Sequence, residues 1–146
     1  MPLLTWSERF DLHVDPMDDT HREFVALLNA LGDADDAGVI PALDRLIEHT
    51  EAHFGQEDRW MAESGFGPMC HIGEHRNVLE VIRKVRDMVG DGQVDLGRRL
   101  AVELAPWFEH HASTMDTILA SHMEQVGYVP FAGPGPLPEA PEAITG

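Results

Sequence analysis

The chain has 146 residues, of which 26 are acidic and 10 basic, giving a formal net charge of −16 at neutral pH, and 43% of its residues are hydrophobic. That length and apolar content suit one domain with a packed core, while the acidic surface repels nucleic acid and anionic lipid and so excludes both as partners. No apolar run approaches the roughly 18–20 residues of a membrane span, no basic, signal-like segment opens the chain, and the single cysteine, Cys70, excludes an intrachain disulfide; a cytoplasmic protein is expected.

Residues 1–17 read as an irregular arm. Pro2 and Pro16 disfavour helix there, and Trp6, Phe10 and Leu12 are placed to lie across a core. The first helix is predicted from about Asp18 to Leu31, capped by Asp18 or by Thr20 with Glu23. His21, Phe24, Leu28 and Leu31 share one of its faces. An acidic connection from Gly32 to Gly38 follows. The second helix is predicted from near Pro41 to about Glu63, with Leu43, Leu46, Ile47, Thr50, His53, Glu57 and Met61 inward, and the run Ser64 to Pro68 breaks it. The third runs from about Met69 to Val89 on a stripe of His71, His75, Val78, Leu79, Ile82 and Val85, and Gly90 to Gly92 ends it. The fourth runs from about Asp95 to Gln125, with Leu100, Leu104, Trp107, Phe108, His111, Met115 and Leu119 inward. Pro106 lies inside it and is expected to bend it locally. Four amphipathic helices, short connections and no strand pattern predict an all-α fold, an up-down-up-down four-helix bundle. The bundle domain is assigned to residues 1–126, and residues 127–146 form a Pro/Gly-rich C-terminal tail.

The chain holds nine histidines, and imidazoles occupy the apolar stripe of all four helices. A buried imidazole costs free energy unless it is hydrogen-bonded or coordinates a metal. Five of them with two inward carboxylates would otherwise need a large and fully satisfied polar network. His53 and Glu57 are four residues apart, as are His71 and His75, so each pair lies on one helix face. His21 supplies a ligand from the first helix, and His111 and Asp116 supply two from the fourth. Five residues turn an α-helix through about 140°, so Asp116 reaches the centre only with a π-bulge, a bend at Pro106 or a long side-chain reach. Spacing alone does not select Asp116 over its neighbours. A ferritin-like oxidase would carry more carboxylates, with Glu-x-x-His spacing. A zinc site takes four ligands, and the His-Glu-x-x-His motif of helical zinc proteases is absent.

Four segments carry a family resemblance: Met17-Asp18-Asp19-Thr20-His21; His53-Phe54-Gly55-Gln56-Glu57-Asp58; His71-Ile72-Gly73-Glu74-His75; and Trp107-Phe108-Glu109-His110-His111 leading to Asp116. In order and type they resemble a bacterial hemerythrin across residues 17–116. The resemblance implies two non-haem iron ions per chain. His71, His75 and His111 would hold one, His21 and His53 the other, and Glu57 and Asp116 would bridge them with an oxo or hydroxo oxygen. That ligand set fills all but one position of two octahedral irons, and the vacancy falls on the iron with two histidines, where a small ligand can bind. The implied function is reversible binding of dioxygen for storage, delivery or sensing, in a monomer or weak homo-oligomer, rather than an enzyme. The alternatives are a di-iron enzyme acting on peroxide or nitric oxide, or a ferritin-like oxidase.

The remaining histidines divide. His49 precedes His53 by one turn, which suits a hydrogen bond to a ligand, whereas His13, His110 and His122 read as surface or packing residues. Cys70 adjoins His71, but helix neighbours point apart. In the resembled family a larger aliphatic residue commonly stands at Ala112 and leucine at Phe108, so these two positions are expected to line the approach to the irons. Residues 130–146 are expected not to touch them.

Overall fold

In the computed structural model, which describes residues 2–67 and 69–131, helix begins earlier than the prolines suggested. Helix α1 spans Asp15–Asp33, with Pro16 in its first turn. A proline is tolerated there because first-turn amides have no intrahelical acceptor. The predicted Thr20–Glu23 box does not form; Thr20 Oγ1 instead donates to the carbonyl of Met17 at 2.9 Å. Asp18 is buried and ties down the arm: its carboxylate accepts from the amides of Leu12 (2.9 Å) and Val14 (3.2 Å). Asn29 holds the other end of the arm, accepting from Leu3 N and donating to Leu4 O.

Helix α2 spans Val39–Ser64, starting two residues ahead of Pro41. It closes at Gly65, whose φ of 75° lets its amide and that of Phe66 bond back to Ala62 and Met61, the left-handed C-terminal motif that a glycine permits. Helix α3 spans Met69–Gly90 and α4 spans Asp95–His111. Helix α4 runs on through Pro106. A π-helical turn, Ala112–Asp116, then leads into α5, Thr117–Val126, so the predicted fourth helix is two α segments joined by a wider turn.

Helix α1 packs on α2 and α4, and α3 packs on the same two. With short connections this is the up-down-up-down bundle, and no strand occurs among the described residues. Two apolar clusters fill it. The larger contains Phe24, Leu28, Leu31, Leu43, Leu46, Ile82, Leu104 and Phe108, with Leu4 and Phe10 of the arm. The smaller contains Met17, Trp60, Met61, Leu119 and Met123. Along α1 to α4 and the π turn the buried histidines and carboxylates fall at the inner edge of the larger cluster or between the two. Residues 132–146, the rest of the Pro/Gly-rich tail, lie outside the described residues.

Candidate metal centre

All seven residues singled out in the sequence converge in that polar layer. His21, His53, Glu57, His71, His75, His111 and Asp116 are each at most 3% exposed. Their ring nitrogens face the two carboxylates in a divided arrangement. Nε2 of His21 and His53 lie 3.5 and 3.1 Å from Oε2 of Glu57, and His21 Nε2 is 2.9 Å from Oδ2 of Asp116. Nε2 of His71 and His75 lie 3.5 and 3.2 Å from the other oxygen, Oε1 of Glu57. Nε2 of His71 and His111 lie 3.1 and 3.3 Å from Oδ1 of Asp116. Each carboxylate therefore divides its oxygens: Glu57 meets His21 and His53 with one and His71 and His75 with the other, and Asp116 meets His21 with one and His71 and His111 with the other.

Asp116 joins this set because of the π turn. The widened turn brings residues five apart onto one side, which α geometry forbids. Its carbonyls find hydroxyl donors nearby: Thr114 Oγ1 donates to His110 O at 2.6 Å, and Thr117 Oγ1 to Ala112 O at 2.9 Å. Of the three routes open to Asp116 in the sequence, the bundle uses the π-bulge.

Burial pushes the imidazoles toward neutrality, but the carboxylates oppose it. Asp116 and Glu57 outweigh burial at His21 and His71 and raise both to about 10, while Asp58 and Glu57 raise His75 to about 9. At His53 burial wins, and its pKa falls. The histidines hold both Glu57 and Asp116 below the usual carboxylate range despite their burial. Without a cation, protons on imidazole compensate the two buried anions.

A metal ion fits these residues better. Nε2 of His21, His71, His75 and His111, Oε1 of Glu57 and both oxygens of Asp116 are buried without a hydrogen bond. They meet only one another, and all of them are nitrogen or oxygen donors that suit a borderline cation such as iron. The donor atoms fall into two groups, each with its members within 4.8 Å of one another: Glu57, His71, His75, His111 and Asp116; and His21, His53 and Glu57.

Two residues around the centre were not read from the sequence. Asp58 Oδ1 lies 2.9 Å from His75 Nδ1, and Glu74 Oε1 lies 2.7 Å from His111 Nδ1. Their signal was adjacency, since Asp58 follows Glu57 and Glu74 precedes His75. His49 packs edge-on against His53, with ring centroids 5.3 Å apart, and faces Glu23 at 3.5 Å. Its contact with a candidate ligand is ring packing, not the expected hydrogen bond. Burial pushes His49 down to about 4. His122 packs on Phe66 and bonds to Ser64 O, while His13 and His110 are exposed. Cys70 is exposed.

The model of the Hemerythrin HHE cation binding domain matches residues 12–122. The chain is 44% identical to the bacteriohemerythrin of Ralstonia nicotianae, over 87% of this chain and 93% of that protein. It is 28% identical to the bacteriohemerythrin of Stenotrophomonas maltophilia (85% and 84%) and 24% identical to that of Pseudomonas aeruginosa (80% and 78%). No solved structure gives a significant match. A cation-binding family model that spans every residue of the polar layer, and relatives that align along most of the chain, lead to one assignment: this chain belongs to the hemerythrin family.

Proposed function

We propose that the chain binds molecular oxygen reversibly at a centre of two non-haem irons. His71, His75 and His111 would hold one iron, and His21 and His53 the other. Glu57 and Asp116 would link the two. The observation that carries this reading is the division of the carboxylate oxygens, one of each facing histidines of the His21–His53 set and the other facing two of His71, His75 and His111. A single cation gives no reason for that division. When bound, the irons supply the electrons that reversible oxygenation needs.

The chain itself supplies orientation and dryness. Phe108 meets the ring of His21 edge-on at 5.3 Å, and Phe24 meets His53 at 6.1 Å. Phe24 and Phe108 stack at 4.9 Å, and Phe10 of the arm lies 5.6 Å from Phe108. Aromatic carbon thus borders the pair side and offers no acid to an incoming ligand, which favours binding and release over turnover. The trio side adds polar contacts, from Asp58 and Glu74, to its own stacked rings. The relatives named bacteriohemerythrin support the same reading.

The test is anaerobic purification, metal analysis and visible absorption through repeated cycles of oxygen and argon. Iron near two equivalents per chain and an absorption change that argon reverses are expected. Consumption of peroxide or nitric oxide without a reversible change would replace this reading with an enzymatic one.

A further inference from the structure

The two halves of the centre are built differently. On the trio side, the outer nitrogens of His75 and His111 meet the carboxylates of Asp58 (2.9 Å) and Glu74 (2.7 Å). Phe54 stacks on His75 with centroids 4.0 Å apart and planes 6° apart, and Trp107 stacks on His111 at 4.6 Å and 24°. Both hydrogen bonds also cross between helices: Asp58 reaches from α2 to α3, and Glu74 from α3 to α4. On the pair side, the outer nitrogens of both His21 and His53 are buried and make no hydrogen bond, whereas on the trio side this holds for His71 alone.

We propose that Asp58 and Glu74 are positioning residues that set the order in which the centre gives up its metals, so that the three-histidine position is retained and the two-histidine position empties first. The inference rests on the di-iron reading above. An imidazole whose Nδ1–H donates to a carboxylate is fixed in the tautomer that presents its Nε2 lone pair inward, and it becomes a stronger donor. Stacking removes the remaining freedom of the ring. His75 and His111 have both constraints. His21 and His53 have neither a carboxylate on the outer nitrogen nor a parallel ring against them, since Phe108 and Phe24 meet them edge-on. The trio position also has one more imidazole. Asp58 and Glu74 are part-exposed, and Asp58 borders a surface groove of about 300 Å³ that His75 and Phe54 also line. Substitution at either residue therefore leaves the apolar clusters intact.

The test uses the iron-loaded protein. Under anaerobic conditions a bipyridine chelator is added and ferrous release is followed by absorbance. The unsubstituted protein should release one iron quickly and the other slowly. Asp58→Ala and Glu74→Ala should speed the slow phase by about 10- to 100-fold, the range seen when outer partners of metal-bound histidines are removed, and should leave the fast phase unchanged. Asp58→Asn and Glu74→Gln keep an acceptor oxygen without its charge and should fall between. Glu23→Gln removes a carboxylate 3.5 Å from His49, next to the pair side, and should leave the slow phase unmoved. Loss of one iron during purification of an alanine variant, with helical circular dichroism retained, counts as the slow phase made fast. A single phase for both irons in the unsubstituted protein, or a slow phase that none of the four variants alters, overturns the proposal. Finding one iron or none in the freshly loaded, unsubstituted protein before chelation overturns the di-iron reading instead.

Discussion

At the scale of residues, the centre couples pH to stability with a sign that iron reverses. In the metal-free chain His21 and His71 are raised to about 10 and His75 to about 9, from an ordinary value near 6.5. A histidine whose folded pKa lies above its unfolded value contributes stability that is complete below about 6.5 and is lost as pH rises through about 9–10. Glu57 and Asp116 are depressed, so their contribution is present above the carboxylate range and is lost in acid. His53, lowered by burial, works against the other histidines. Iron needs neutral imidazoles, so the loaded protein should hold its stability at alkaline pH and lose it in acid. The gap in melting temperature between loaded and chelated protein should therefore widen from pH 6 to pH 9.5; a gap that narrows would contradict the assignment. Ala112 offers a second test. It is 2% exposed and packs with the larger apolar cluster, directly after His111. Ala112→Ile should slow both oxygen entry and autoxidation in stopped-flow and hours-scale measurements, at a packing cost of about 1–3 kcal/mol. Six of the seven buried donors were legible one by one, because a polar residue in an apolar stripe requires a reason; Asp116 was named only through the family resemblance. Asp58 and Glu74 were not, since a half-exposed acid next to a ligand looks like ordinary surface until the fold brings a ring nitrogen to it.

At the scale of elements, the π turn decides which carboxylate the centre receives. Exchanging the two candidates, Met115→Asp with Asp116→Met, should leave the protein as short of iron as Asp116→Met alone. Recovery of two irons in the exchanged chain would mean that the turn relaxes to α geometry. Thr117→Val removes the hydroxyl that serves the Ala112 carbonyl and should cost about 1 kcal/mol, read as a shifted urea midpoint. Helix number and type were legible from apolar spacing, as were the two glycine-ended stops. The π turn was only one of three routes, because the run Ala-Ser-Thr-Met-Asp-Thr announces hydroxyl donors but not the carbonyls they will serve. The start of α1 was missed because proline argues against helix in general but not in a first turn.

At the scale of the whole molecule, the arm and the last described residues close the bundle at different places. Tyr128 Oη donates to Glu63 at 2.6 Å, and the indole of Trp60 donates to the Phe131 carbonyl at 3.3 Å. Neither end contact touches the seven residues. A chain ending at Pro130 should keep its iron and lose about 1 kcal/mol with the Trp60 bond. A chain ending before Gly127 should lose more, since the Gly127 amide and Tyr128 close α5. Iron content and melting temperature measure both. The net charge of −16 was legible at once, and it implies that salt stabilises the metal-free form by screening self-repulsion.

The polar layer has a further consequence for cooperativity. It separates a large apolar cluster from a small methionine- and tryptophan-rich one, with little apolar contact across the boundary. Two irons, each gripped from several helices, would tie the halves into one unit. Once they are removed, the layer is a seam of protons and carboxylates, and the small end is held by a core of five buried side chains, Met17, Trp60, Met61, Leu119 and Met123, with a few half-buried neighbours and surface hydrogen bonds. Amide exchange should then divide along that seam, with α5 and the last turn of α2 opening at a lower free energy than the helices around Leu28 and Leu46. In the loaded protein the same amides should exchange together with the rest, so the metal sets the size of the folding unit as well as the chemistry.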